Sequence, residues 1–281
     1  MVVYCAQDQV FAEPLLAEFG AHAGIKPLTV FDSEAVKTVG LANRLIAEKA
    51  NPQCDLFWAN EELRVRQMAA QGVFRPTHGF VTFGYRSRRI VINTNKVSLA
   101  EAPRSLQELT NASWRGKVAL AYPLFGTTAT HFLALRQHWG DAPWQAWCRA
   151  LQANKPFLVD GNSVVVKLVG QGEAWIGLTD SDDIAGGIHE GLPLAAMPLT
   201  PETLLIPNTV AVVRGAPHAA EAEQMFQYLQ QSEVAERLVK EAALEGAQTG
   251  QSQGLQVDWT ALLADLDSAT ETMKRIFLRQ E

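Results

Sequence analysis

The chain has 281 residues, of which 47% are hydrophobic and 19% charged. That is enough apolar material for a sizeable core and more length than one average domain, so two lobes of roughly 100–150 residues are expected. The 24 Lys and Arg against 30 Asp and Glu give a formal charge of −6, and such a surface repels phosphate backbones and anionic headgroups, which argues against bulk nucleic-acid or membrane-surface binding. Apolar runs such as 164–166 and 192–199 fall far short of the ~20 residues of a membrane-spanning helix. Cys5, Cys54 and Cys148 lie far apart with no CxxC and no neighbouring His. A zinc site is therefore not expected, at most one disulfide is possible, and small buried hydrophobes are the simplest reading. The chain opens on a strand-like segment, 2–6, an opening that suits both a cytosolic start and a secreted chain stripped of its leader.

The first third alternates strand and helix. A strand at 2–6 leads into a helix carrying Phe11, Leu15, Leu16 and Phe19, and a turn at Gly24 leads to a strand at 28–31. Residues 36–48 place Val36, Val39, Leu41, Leu45 and Ile46 near a 3.6 period, which reads as a helix broken by Asn51-Pro52. A strand at 55–58 and a helix at 61–70, closed by Gly72, follow. This order predicts a parallel sheet with helices on both faces, and ligands meet such sheets at the loops after the strands. Those loops are 7–9, 32–34 and 60–61.

Residues 81–94 alternate as one long strand that leaves the first lobe and enters a second. There a short helix at 105–109, a strand at 117–122, a helix pair at 127–139 and 141–153, a strand at 157–159, a helix at 163–170 and a strand at 174–178 are predicted. A strand at 204–213 then returns to the first lobe, and helices at 219–237 and 255–279 are expected to pack on it.

Four segments carry candidate chemistry. Gly126, Thr127 and Thr128 stand between a strand and a helix, where free backbone N–H groups, the helix dipole and two hydroxyls make an anion site; the same residues serve equally as a helix cap. Asp160, Asn162 and Ser163 repeat that pattern. Arg86 and Arg88, two apart on a strand, project to one side and fit a bidentate grip on an anion or a solvated basic edge. Thr179, Asp180, Ser181, Asp182 and Asp183 follow a buried strand and suit a metal, an amine or sugar hydroxyls, or a charged helix start. No GxGxxG, GxxxxGK[ST], HExxH or GxSxG occurs, so no cofactor or catalytic residue is assigned and an enzyme is not expected. His131 reads as a structural helix residue, and Trp58 as core with a second possibility of lining a cleft.

The segments VVYCAQDQVFAEPLLAEF, CDLFWANEE, YRSRRIVINT, SLQELTNASWRGKVALAYPLFGTTATHFLAL, LVDGNSVVVKLVGQGEAWIGLTDSDD and LLIPNTVAVVRGAPHAAEAEQMFQYL together resemble the periplasmic solute-binding proteins of ABC importers. The likeness is to the ferric-iron-binding branch of extracellular solute-binding family 1. It implies an α/β, two-lobed periplasmic-binding-protein fold, type II-like and hinge-connected. Residues 1–87 with 210–281 would form the first lobe and 88–209 the second, with hinges near 87–89 and 207–209. It implies a monomeric ligand-capturing subunit outside the cytoplasm that hands a small molecule to an inner-membrane ABC permease. The ligand set it implies is Asp8, Glu34, Asn60, Glu61, Arg86, Arg88, Gly126, Thr127, Thr128, Asn162, Ser163, Thr179, Asp180, Asp182, Asp183 and Asn208.

The chain departs from the ferric-binding pattern. Ser181-Asp182 stands where such relatives present adjacent tyrosines, Gln7-Asp8-Gln9 replaces the customary first-loop His, and the carboxylate expected after the third strand falls on Asn60 with Glu61 beside it. Related branches bind phosphorylated sugars or aminophosphonates. A phosphorylated or phosphonate-type anion is thus the favoured ligand. The alternatives are Fe(III) held without the tyrosine pair, and an enzyme or sensor built on the same fold.

Overall fold

A computed structural model describes residues 1–31, 37–77, 79–247 and 254–278, with the backbone alone for Lys37 and Thr38. The expected loop at 32–34, including Glu34, lies outside the described residues. The chain divides into two compact units, Met1–Arg86 with Ile206–Gly250 and Ser87–Leu205 with Gln251–Glu281.

In the first unit β1 (Val2–Cys5) pairs in parallel with β2 (Leu28–Val30) and with β3 (Leu56–Ala59), and β9 (Leu205–Val212) adds antiparallel to β3. The two-residue alternation of these strands divides the hydrophobic core into two. Val3, Cys5, Leu56, Trp58, Val210 and Val212 face one layer, built by α1 (Gln9–Ala23), α8 (Ala219–Leu229) and α9 (Ser232–Lys240). Tyr4, Ala6, Phe57, Ala59 and Ala211 face the other, built by α2 (Lys37–Ala47) and α3 (Glu62–Ala70). Trp58 is wholly buried in the first of these cores rather than lining a cleft.

The second unit holds β4 (Val81–Asn93), which begins in the first unit, β5 (Val118–Ala121), β6 (Phe157–Val159), β7 (Ile176–Asp180) and β8 (Leu194–Ala196). β5 runs parallel to β6 and β7, while β4 pairs antiparallel with β7 and β8. β8 falls inside the apolar run 192–199, which the sequence did not resolve into an element. α6 (Asn162–Gln171) and α7 (Ser181–His189) cover part of the sheet through Val165, Val166, Val169 and Ile184 against Val91 and Ala119. Gly177 permits that close approach, since a Cβ there would lie 2.7 Å from Val165 and 2.9 Å from Val91. The expected short helix at 105–109 is a 3-10 turn at Gln107–Thr110.

One expectation is overturned. The last helix, α10 (Trp259–Phe277), belongs to the second unit, not the first, because it packs on α4 (Gly126–Trp139) and α5 (Asp141–Ala153). Phe132 of α4 is the centre of that contact, with ring centroids 5.9 Å from Phe277 and 5.1 Å from Trp147. The chain therefore crosses between units at 86/87 and 205/206, and once more between the described residues 247 and 254. The three cysteines are free and buried, and burial pushes the Cys54 thiol up to about 12. Among the described residues no helix is long and apolar enough to cross a membrane.

Candidate functional site

Each unit gathers polar side chains at the carboxyl ends of its parallel strands. In the first unit these follow β1 and β3, joined by Asn208 from within β9. Gln7 and Asn208 are buried and joined by an amide–amide hydrogen bond of 3.4 Å, which leaves Gln7 Nε2 and Asn208 Oδ1 without partners. Asp8 starts α1 in extended backbone and makes no side-chain cap. Asn60 is buried, and its carbonyl accepts from Arg86 Nη2 at 2.9 Å. Glu61 is the N-cap of α3, and its carboxylate accepts from the Leu63 and Arg64 N–H groups at 2.6 and 3.0 Å. The expected direct ligand contact by Glu61 is thus replaced by a cap, with both carboxylate oxygens engaged.

In the second unit the focus is Asp180, the last residue of β7, 1% exposed. Arg88 Nη1 donates to Asp180 Oδ1 at 2.7 Å and to Asn162 Oδ1 at 2.8 Å, while Nη2 donates to the Leu178 carbonyl at 3.1 Å. Thr127 Oγ1 donates to Asp180 Oδ2 at 2.9 Å, and Asn162 Nδ2 donates to the same oxygen at 3.1 Å. Thr179 Oγ1 donates to the Asn162 carbonyl at 3.1 Å, tying the start of α6 to β7. A buried ion pair survives only when its remaining lone pairs and protons are satisfied in this manner.

Two sequence expectations change here. Arg86 and Arg88 do not act as one fork. Arg86 engages Asn60 in the first unit, whereas Arg88 is neutralised by Asp180 in the second. The division of the chain falls between them, so neighbouring positions on one strand serve different units. The Thr127 hydroxyl, expected to hold an anion, is donated to the Asp180 carboxylate.

The anion-binding feature that does appear is backbone. α4 begins at Gly126 (φ 54°) after Phe125, and α6 begins at Asn162 after Gly161. Neither N-cap residue, Phe125 or Gly161, makes a side-chain cap hydrogen bond, and the positive dipole end of each helix favours an anion. The two starts follow the adjacent parallel strands β5 and β6. Gly126 and Asn162 are partly exposed, Ser163 is exposed, and Thr127 and Thr128 are buried. At the start of α7, Asp180, Asp182 and Asp183 bring one oxygen each within 4.8 Å of one another. This is the one cluster among the described residues with the donors for a metal ion, and Asp182 and Asp183 also suit the positive end of α7.

His131 is a residue whose neighbourhood the sequence did not reveal. It lies one turn after Thr127 on α4, is 0% exposed, and its Nε2 is 2.7 Å from the Glu202 carbonyl. A carbonyl only accepts, so Nε2 carries the proton. Burial, with a contribution from Arg88, lowers its pKa to about 3.

A fold of two α/β units with polar groups at their strand ends, joined by chain crossings through long strands, defines the class of two-lobed periplasmic binding proteins. Iron-bound HitA from Pseudomonas aeruginosa has this fold, with a TM-score of 0.83 at 18% identity, covering 98% of each chain. AfuA from Actinobacillus pleuropneumoniae, solved with exogenous fructose-6-phosphate bound, matches at a TM-score of 0.78 and 18% identity over 99% of this chain and 96% of that one. The chain belongs to the bacterial extracellular solute-binding protein family, whose pattern matches residues 1–241. A Fe(3+)-binding periplasmic protein of Serratia marcescens is 29% identical over 192 residues, which cover 62% of this chain and 54% of that protein's length.

Proposed function

We propose that this protein is the substrate-binding subunit of an ABC importer, acting outside the cytoplasm as a monomer without catalytic turnover, and that it captures a small anionic organic molecule of the phosphorylated or phosphonate type. The transport role is supported by membership of the solute-binding family and by similarity to periplasmic relatives. The ligand class rests on one observation, the adjacent starts of α4 and α6 in the second unit, whose N-cap residues make no side-chain cap. Their positive dipole ends favour a phosphate or phosphonate.

Fe(III) is the second reading, favoured by the Asp180, Asp182 and Asp183 cluster. Three considerations weigh against it. Hard Fe(III) favours anionic oxygen donors, and the chain has Ser181 and Asp182 where ferric-binding proteins present tyrosines. Asp180 is already bound by Arg88, Thr127 and Asn162. The Arg88 guanidinium, 2.7 Å from Asp180, would repel a trivalent cation placed on that carboxylate.

The deciding experiment is thermal unfolding and calorimetric titration with sugar phosphates, aminophosphonates and ferric nitrilotriacetate in parallel. A phosphate-bearing ligand at 100 times its dissociation constant should stabilise by about 2.7 kcal/mol, with no product formed on prolonged incubation. Stoichiometric uptake of iron with a charge-transfer band, and no response to any phosphate compound, would reverse the assignment.

A further inference from the structure

α5 and α10 pack against each other in the second unit and leave a groove of about 470 Å³ between them. α5 lines it with Gln145, Arg149 and Gln152, spaced four and three residues apart on one helical face, and α10 lines it with Thr272, Arg275 and Ile276. The groove shares no lining residue with the strand-end cluster of Thr127, Asn162 and Asp180. Its volume lies in the range of small-molecule sites, but its lining is polar and holds no acid. The charged residues on it are two arginines, one from each helix, in a chain whose 30 acidic residues outnumber its 24 basic ones. Arg149 Nη2 donates to Gln145 Oε1 at 2.9 Å, and Arg275 Nη2 donates to Thr272 Oγ1 at 3.0 Å. Each guanidinium is thus oriented by a neutral acceptor on its own helix, and neither has a carboxylate partner among the described residues. A third cation, Arg115, donates from Nη1 to the carbonyl of Ala153, another lining residue, at 2.9 Å. The acids beside the groove are engaged elsewhere, Asp141 by Arg136 and Glu271 by Lys274, each at 2.7 Å. Two like charges on one concave surface repel each other until an anion bridges them.

We infer that this groove is a second anion site, separate from the strand ends, for a small molecule bearing two or more carboxylate or phosphate groups. A guanidinium fork matches either oxyanion bidentately. A molecule with one such group can satisfy one wall, whereas a molecule with two can engage Arg149 and Arg275 together. The inference holds whichever ligand the strand ends capture.

The test uses the full chain with 13C-methyl isoleucine, following the Ile276 methyl signal during titration with tricarballylate, pyrophosphate and acetate at matched ionic strength. The two polyanions separate a carboxylate source from a phosphate source, and at least one of them should saturate the Ile276 shift and bind at least ten-fold more tightly than acetate. Arg149→Gln and Arg275→Gln should each weaken that binding at least five-fold. Both side chains are exposed, so the thermal midpoint should not move. Arg275→Lys, which keeps the charge but loses the fork, should fall between wild type and Arg275→Gln. Lys274→Gln removes a charge from α10 that does not line the groove, and it should leave the affinity within two-fold of wild type. No saturable Ile276 shift with either polyanion, or affinity no better than that of acetate, would overturn the inference. So would binding retained in both glutamine variants, or weakened as much by Lys274→Gln as by them, since the attraction would then be that of the surface at large.

Discussion

Neutralising Asp180 should unmask how the second unit holds its strand-end residues in place. Arg88 is wholly buried and its charge is met by Asp180 at 2.7 Å. Asp180→Asn keeps the shape but leaves a buried guanidinium without a counter-charge, and Thr127 and Asn162 lose the carboxylate that accepts from both. Breaking one side of a buried pair costs about 3–5 kcal/mol. The amide retains one carbonyl acceptor, so a loss near the lower end, about 3 kcal/mol, is expected. For a unit of this size that corresponds to a fall in Tm of about 6–12 °C. Replacing both partners by residues that need no charge, Arg88→Met with Asp180→Asn, should recover more than half of the loss, because the orphaned charge is gone. The assay is a double-mutant cycle by calorimetry on the wild type, each single variant and the pair. A loss below about 1 kcal/mol for Asp180→Asn, or strictly additive single effects, would refute the view that this pair is coupled and desolvated.

Thr127→Val should destabilise the second unit by about 1–2 kcal/mol in urea unfolding, because its hydroxyl serves the Asp180 carboxylate; an unchanged midpoint would return that hydroxyl to the ligand. His131 adds a pH dependence with a definite sign. Its folded pKa of about 3 lies below the ordinary value of 6.5, so the unfolded chain binds the extra proton, and the stability this creates is complete above pH 6.5 and lost as pH falls toward 3. Between pH 6.5 and 5 the loss should be about 2 kcal/mol, measured as the difference between wild type and His131→Phe. Phe277→Ala should cost about 3 kcal/mol, and hydrogen exchange should rise in α4 and α5 rather than in the first unit; the opposite pattern would return the C-terminal helix to the first unit. Ligand capture should also lower the radius of gyration in small-angle scattering, and unchanged scattering at saturation would count against closure.

Much of the architecture was legible from periodicity. The strand–helix alternation through residue 72 and the passage of 81–94 out of the first unit follow from patterns that a strand or helix must carry to bury one face. The strand-end loops at 7–9 and 60–61 could be nominated because a parallel sheet leaves its binding chemistry there. The placement of α10 could not be read, because an amphipathic helix records that it buries a face but not against which partner; Phe277 found Phe132 and Trp147 in the second unit.

By itself, then, the sequence determined two α/β units, the order of their elements and the strand ends at which polar residues gather. Only the tertiary structure decided what those polar residues do. Whether Thr127 faces a ligand or Asp180, whether Glu61 binds or caps, and whether Arg86 and Arg88 act together or in separate units depend on hydrogen-bond partners up to 92 residues away, as Arg88 is from Asp180. A side chain's donors and acceptors are the same in any sequence context. In a buried site, what they are free to bind is set by the neighbours that have already satisfied them, and those neighbours are chosen by the packing of the whole unit.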